Sequence, residues 1–144
     1  MIKFLSKFFF ISLLLNFAWE VTQMPLFEEM GSGIRSDFNE FLKIHWNVSF
    51  RDTLMILTAY LLIGTVLRNW NWVKKFNNGW VAFWLFLPLW QGLVEYFSVY
   101  HLSRFEYAES MPLIFGIGLS PLLQMLILPT VAVLLSRHLL SDQD

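Results

Sequence analysis

The sequence has no cysteine, few charged residues and almost no net charge. With 0 cysteines among 144 residues, the chain can form no disulfide framework and no zinc–thiolate site, and it has no thiol chemistry. Its 10 Lys and Arg residues and 11 Asp and Glu residues leave a formal net charge of −1. A nucleic-acid-binding protein needs a basic surface, and this composition does not provide one, so we expect no nucleic-acid partner.

Apolar residues are abundant instead. Hydrophobic residues make up 56% of the chain and aromatic residues 18%, against 15% charged residues. A soluble domain of this length would expose much of that apolar surface to water, whereas a bilayer would cover it. No stretch has the composition of a linker, so we expect residues 1–144 to form a single transmembrane domain.

Four segments are apolar enough to cross a bilayer, which takes about 20 residues in a helix. They cover residues of about 4–27, 50–67, 79–101 and 113–137. Because a helix pairs its own backbone groups, it is the open-ended structure that can cross lipid. The sequence therefore predicts an all-α fold, an integral membrane antiparallel four-helix bundle.

The first segment also has features of a secretory signal, since Lys3 and Lys7 precede or enter the run FFFISLLL. However, no small-residue cleavage site follows, and the apolar run continues to Phe27. We therefore interpret it as a retained first membrane helix.

Loop charges predict the orientation of the bundle. Taken together, the segments before the first span, between the second and third spans, and after the fourth contain more basic than acidic residues: Lys3, Lys7, Arg68, Lys74, Lys75 and Arg137. On the other side, acidic residues outnumber the basic ones. The positive-inside rule then predicts that both termini are cytoplasmic. Four tryptophans near span ends suggest an interfacial aromatic belt: Trp46, Trp70, Trp72 and Trp80.

The connection between the first two spans contains a helical pattern, SDFNEFLKIHW. Ser36 or Asp37 can cap a helix there, and apolar residues follow at helical spacing. The pattern fits either a short amphipathic helix on the outer surface or an ordinary structured loop.

Polar residues interrupt each predicted span at helical spacing. Asn16, Glu20 and Gln23 are spaced i, i+4, i+7 and so share one face of the first helix. The same kind of spacing recurs in the other three spans, provided that the second helix begins early: Gln91, Glu95 and Ser98; His45, Ser49 and Asp52; Ser120 and Gln124. In an antiparallel bundle all of these residues fall in the outer third of the membrane. The sequence therefore predicts one shared polar pocket.

The fourth span has its own start signal in GIGLSPLLQ. Ser120 suits an N-cap and Pro121 suits the first helical position, so the helix can begin there, after an entry segment at 111–119. A helix N-terminus below the membrane surface favours an anionic neighbour, either a carboxylate or a ligand oxygen.

The runs NFAWEVTQMPLF and GIGLSPLLQMLILP, with HWNVSFRDTLMIL and VEYFSV, resemble a family of small, uncharacterised bacterial four-helix membrane proteins. The shared motifs are W-E-x-x-Q-x-P-L at 19–26 and G-L-S-P-L-L-Q at 118–124. The resemblance implies a bacterial inner-membrane protein and implies no activity. The layout is also similar, without shared motifs, to small polytopic sterol isomerases and terpene cyclases, which gather acids and aromatics inside a helix bundle.

Three acids at one depth exceed what packing requires, and a carboxyl cluster can supply both a general acid and a general base. One hypothesis is therefore an enzyme that transfers protons on a lipid or isoprenoid. Its predicted catalytic residues are Glu20 and Glu95 as acid and base, with Asp52 and His45 as proton relays. Its predicted ligand-binding residues are Trp19, Gln23, Gln91, Tyr96, Ser120 and Gln124.

Two other hypotheses use the same residues. The chain can be a small-molecule or proton-coupled carrier, working as a homodimer, or a non-catalytic subunit whose polar faces bind a membrane partner. In a non-catalytic subunit the polar side chains would form hydrogen bonds between helices, each worth about 0.6 kcal/mol. The sequence has no EXXH or HXXXH spacing, so we expect no metal and no cofactor.

Overall fold

The computed structural model describes residues 2–28 and 37–141. Within these ranges the chain forms four long helices: α1 (Ile2–Gln23), α2 (Phe38–Val66), α3 (Asn78–Tyr96) and α4 (Leu119–Ser141). A 3-10 turn extends α1 over Met24–Leu26, and a π-helical turn extends α3 over Phe97–His101. A short antiparallel hairpin, β1 (Leu113–Ile114) and β2 (Ile117–Gly118), precedes α4. The predicted all-α class is confirmed, with this hairpin as the one small addition in the described ranges.

The four helices form an antiparallel bundle. α1 packs mainly against α2 and α4, and α3 packs against the same two helices from the opposite side. The start of α1 meets the end of α4, where Lys7 Nζ donates to the Leu139 carbonyl at 2.7 Å. The ring of Phe4 lies 5.6 Å from that of Tyr60, near the end of α2. Trp84 in α3 donates to Thr130 Oγ1 in α4 at 2.8 Å.

Three of the helical segments are long and apolar enough to cross a membrane, judged by length and composition. They cover Ile2–Leu26, Phe38–Val66 and Leu119–Leu139. α3, the third predicted span, has 19 residues and falls outside this group. Its tryptophans, together with Gln91 and Glu95, lower its hydropathy. The predicted four-helix architecture thus contains three helices of clear membrane-spanning character.

α2 is longer than the predicted second span of about 50–67, because the helix begins at Phe38. Asp37 caps it, since its Oδ1 accepts hydrogen bonds from the backbone N–H groups of Asn39 at 2.9 Å and Glu40 at 3.3 Å. The predicted surface helix and the second span are therefore one helix of 29 residues. The other cap candidate, Ser36, lies outside the described residues. A continuous α2 places His45 and Ser49 on the same face as Asp52.

The fourth helix begins at Leu119, within one residue of the start signal at Ser120 and later than the span bound of about 113. Residues 113–118 form the hairpin, whose turn holds Phe115 at φ 51° and Gly116 at φ 79°. Two successive residues with positive φ are the geometry of a tight hairpin turn, which cannot continue into a right-handed helix. The predicted entry segment thus contains this hairpin, and Ser120 lies in the first turn of α4.

A cluster of aromatic side chains fills the end of the bundle where α1 begins. This aromatic core consists of Phe8, Tyr60, Trp72, Trp80 and Phe83, all buried. Trp72 packs on Tyr60 at 5.5 Å and on Phe83 at 5.4 Å between ring centroids. The predicted position in an exposed aromatic belt is therefore wrong for Trp72 and Trp80. Their rings are buried because α2, α3 and the loop between them pack together at this end. Trp46 and Trp70 remain exposed.

Candidate functional site

Three carboxyl groups from three helices meet at the end of the bundle opposite the aromatic core. Glu20 comes from α1, Asp52 from α2 and Glu95 from α3, and they are only 6%, 8% and 7% exposed. All three side chains line one cavity. A carboxyl group accepts hydrogen bonds when ionised and can also donate one when protonated. Acid and base chemistry can therefore be combined at this one place.

Gln124 of α4 links the acids to the rest of the bundle. Its side chain is fully buried, and its Nε2 donates to Asp52 Oδ2 at 2.9 Å and to Asn16 Oδ1 at 2.8 Å. Its Oε1 accepts from Gln23 Nε2 at 3.3 Å. One amide thereby ties α1, α2 and α4 together around the carboxyl groups, using both of its N–H donors.

Gln23 forms the second amide junction, at the end of α1. Its Nε2 donates to Glu20 Oε1 at 2.8 Å. Its Oε1 accepts from Ser120 Oγ at 2.8 Å and from Trp19 Nε1 at 3.2 Å. Trp19 and Ser120 therefore contact the site through Gln23. The first turn of α4 is joined to α1 by the Gln23 side chain, where the sequence predicted an anion at the N-terminus of α4.

Glu95 is held by two donors. Gln91 Nε2, one turn earlier in α3, donates to Oε1 at 3.1 Å, and the Tyr107 hydroxyl donates to Oε2 at 2.7 Å. Tyr107 belongs to the loop before the hairpin, which pairs with the end of α1 through a β-bridge to Phe27. Burial raises the pKa of the Tyr107 phenol and the Glu95 charge adds to this effect, so Tyr107 remains a neutral donor.

A cavity of about 530 Å³ lies beside the acids, between α1, α2 and α3. Its polar wall contains five of the predicted site residues: Glu20, Gln23, Asp52, Gln91 and Glu95. Its apolar wall includes Leu54, Trp90 and Val94. Because Leu54 and Val94 are also exposed on the outside of the bundle, the cavity opens sideways between α2 and α3. The cavity can therefore accommodate a ligand that has both a polar and an apolar part.

Two arginines also line the cavity, Arg51 of α2 and Arg104 of the loop after the π-helical turn. Both side chains are exposed, and among the residues that the structure describes neither guanidinium has a hydrogen-bond or ion-pair partner. The carboxyl group of Asp52, next to Arg51 in the sequence, bonds to Gln124. The sequence analysis did not predict Arg51 as a site residue, although its position next to Asp52 was a usable signal.

His45 lies deep in the same layer without lining the cavity. It is 1% exposed, and its Nδ1 hydrogen-bonds to the Phe41 carbonyl at 2.8 Å. Because a carbonyl only accepts, Nδ1 carries a proton in this bond. Nε2 is buried and has no hydrogen-bond partner among the residues that the structure describes. His45 therefore belongs to the polar layer but is not joined to the acids by a hydrogen bond in the described part of the chain.

The structure corrects the expectation for Tyr96. Its ring is 44% exposed and packs on Tyr100 at 5.2 Å, away from the cavity. One residue along a helix is a rotation of about 100°. Because Glu95 faces the bundle interior, its neighbour Tyr96 faces outward. The aromatic residues that line the cavity are Phe27, Trp90 and Phe105, and Tyr107 bonds to Glu95.

Comparison with known proteins found no matching family model, no matching curated sequence and no matching solved structure. The case for a function therefore has to come from the chemistry of the site itself.

Proposed function

We propose that this chain is a multi-pass protein of the bacterial inner membrane, with both termini in the cytoplasm and the carboxyl cavity near the outer leaflet. Three helices of spanning length and apolarity support membrane insertion. Lys7 and Lys74 lie at the aromatic-core end of the bundle, opposite the acids, in agreement with the positive-inside rule. The motifs W-E-x-x-Q-x-P-L and G-L-S-P-L-L-Q support the bacterial assignment through the family that they resemble.

The proposed activity is acid–base catalysis on a lipid or isoprenoid. One observation carries it, namely that Glu20, Asp52 and Glu95 reach a single cavity from three helices and share it with an apolar wall. Buried carboxyl groups in a membrane protein are costly, and they occur where protons or ligands are handled. A side opening between α2 and α3 would let an acyl or isoprenoid chain enter from the bilayer.

In the proposed reaction, Glu20 donates a proton to one carbon of a double bond, which leaves a cation on the adjacent carbon. Glu95, oriented by Tyr107 and Gln91, removes a proton from a carbon next to that cation. The double bond moves or a ring closes, and the substrate neither gains nor loses protons overall. The proton then returns from Glu95 to Glu20 across the cavity that both line, with Asp52 in the same lining as the proposed relay. The face of Trp90 can stabilise a developing cation.

The aromatic core favours this activity over the carrier hypothesis. A carrier needs a route to both sides, but the buried polar side chains of α1 end at Ser12, and Phe8 and Tyr60 pack together beyond them. Opening that end would require several buried rings to separate. A non-catalytic subunit, alone or as a homodimer, remains the competing hypothesis that the experiment has to exclude.

The test compares cells that carry the wild-type gene, Glu20→Gln or Glu95→Gln, with lipids and isoprenoids profiled by mass spectrometry. Both variants keep the size of the side chain, replace one acceptor oxygen with an N–H donor and remove acid–base function. We expect each to cause accumulation of one lipid or isoprenoid and depletion of an isomer of equal mass. Glu106→Gln is the matched control, since Glu106 is exposed and lies outside the cavity. Profiles identical to the wild type for both variants would show that the carboxyl cluster is structural.

A further inference from the structure

The cavity contains two opposite kinds of charged group that do not pair with each other. Its carboxyl groups are bonded to protein donors, with Gln124 on Asp52 and Tyr107 on Glu95. Arg51 and Arg104 line the same 530 Å³ space, yet their guanidinium groups contact no carboxylate in the described part of the chain. Two available guanidinium groups at one cavity form a place for a compact anion.

The lining of the cavity changes from charged to apolar along the helices. On α2, Arg51 is followed by Leu54 and Thr58, at spacings that keep them on one side of the helix. On α3, Val94 and Trp90 continue the apolar side facing them. The arginines are exposed, near the end of the bundle, whereas the apolar strip runs toward its middle. An occupant that matches this gradient has an anionic head and an apolar chain.

We infer that the cavity binds an amphiphile with a phosphate head, its phosphate between Arg51 and Arg104 and its chain along Leu54, Val94 and Trp90. This inference rests on the proposed function and narrows its substrate class to phosphorylated lipids or isoprenoids. Phosphate suits the pair because a guanidinium binds two of its oxygens side by side, so two arginines can share one head group.

The experiment measures binding of radiolabelled dodecyl phosphate to the full chain in dodecylmaltoside micelles. We expect saturable binding that Arg51→Gln and Arg104→Gln each weaken about tenfold, the loss of one charge-assisted contact. Lys43→Gln is the matched control, since Lys43 is an exposed cation at the same end of α2 that does not line the cavity. It should leave binding unchanged. Arg51→Lys and Arg104→Lys, which keep the charge, should bind between the wild type and the Gln variants.

Competition distinguishes the sources of the anion. Unlabelled dodecyl phosphate should displace the probe, whereas inorganic phosphate, dodecanol and dodecyltrimethylammonium should not do so at the same concentration. If inorganic phosphate displaced the probe equally well, the claim that the ligand needs an apolar chain would be wrong. If dodecanol did so, the claim that it needs an anionic head would be wrong. If both Arg→Gln variants bound the probe as the wild type does, the proposed site would be wrong. Glu20→Gln should still bind dodecyl phosphate, so a failure of catalysis and a failure of binding give different results.

Discussion

Gln124 provides the sharpest test of the polar layer. Replacement by Leu keeps a similar size but removes the three hydrogen bonds that join Gln124 to Asn16, Asp52 and Gln23. The two amide–amide bonds are worth roughly 0.6 kcal/mol each inside a membrane protein, and a bond to a carboxyl group about 1.5 kcal/mol. Gln124→Leu should therefore lower the free energy of unfolding by about 2.7 kcal/mol.

The assay is reversible unfolding in mixed micelles titrated with sodium dodecyl sulfate, followed by circular dichroism. Thr65→Val is the control, because Thr65 is exposed and its hydroxyl donates only to Leu61 within its own helix. The control should change the free energy of unfolding by less than about 0.5 kcal/mol. If Gln124→Leu lost no more than Thr65→Val, the hydrogen-bond network would not stabilise the bundle and the reasoning from burial and geometry would be refuted.

Two further predictions concern the loop at the site and the orientation of the bundle. Burial and Glu95 raise the pKa of Tyr107 above the ordinary tyrosine value of about 10. In a pH titration, the difference in tyrosinate absorbance between the wild type and Tyr107→Phe should therefore appear only at a pH well above about 10. The unfolded phenol ionises first, so the stability advantage of the wild type over Tyr107→Phe should be constant below pH of about 10 and decline above it; a constant advantage at higher pH would contradict the assignment. For orientation, single cysteines can be introduced into a chain that has none. In intact cells an impermeant maleimide should label Glu106→Cys and not Lys74→Cys, and the reverse pattern would invert the bundle.

The spacing of polar residues predicted which side chains face inward, because helical geometry depends only on local chain structure. Glu20 with Gln23, and Gln91 with Glu95, lie three or four residues apart, and each pair is hydrogen-bonded within one helix. The four helices and their antiparallel order followed from apolar runs joined by short polar connections. Helix ends were less predictable. The hairpin turn at Phe115 and Gly116 and the cap at Asp37 moved two of them.

The sequence by itself determined the helices, their apolar character and the inward face of each one, since these follow from residue type and a period of 3.6 residues. Only the tertiary structure decided which helices share an amide, as Gln124 does with Asn16 and Asp52. It also brought Tyr107 and Arg104 to the acids, because a loop is positioned by its pairing with distant chain, here the bridge from Tyr107 to Phe27. Burial of Trp72 was decided in the same way, since it depends on the neighbours that the connection between α2 and α3 acquires rather than on local sequence.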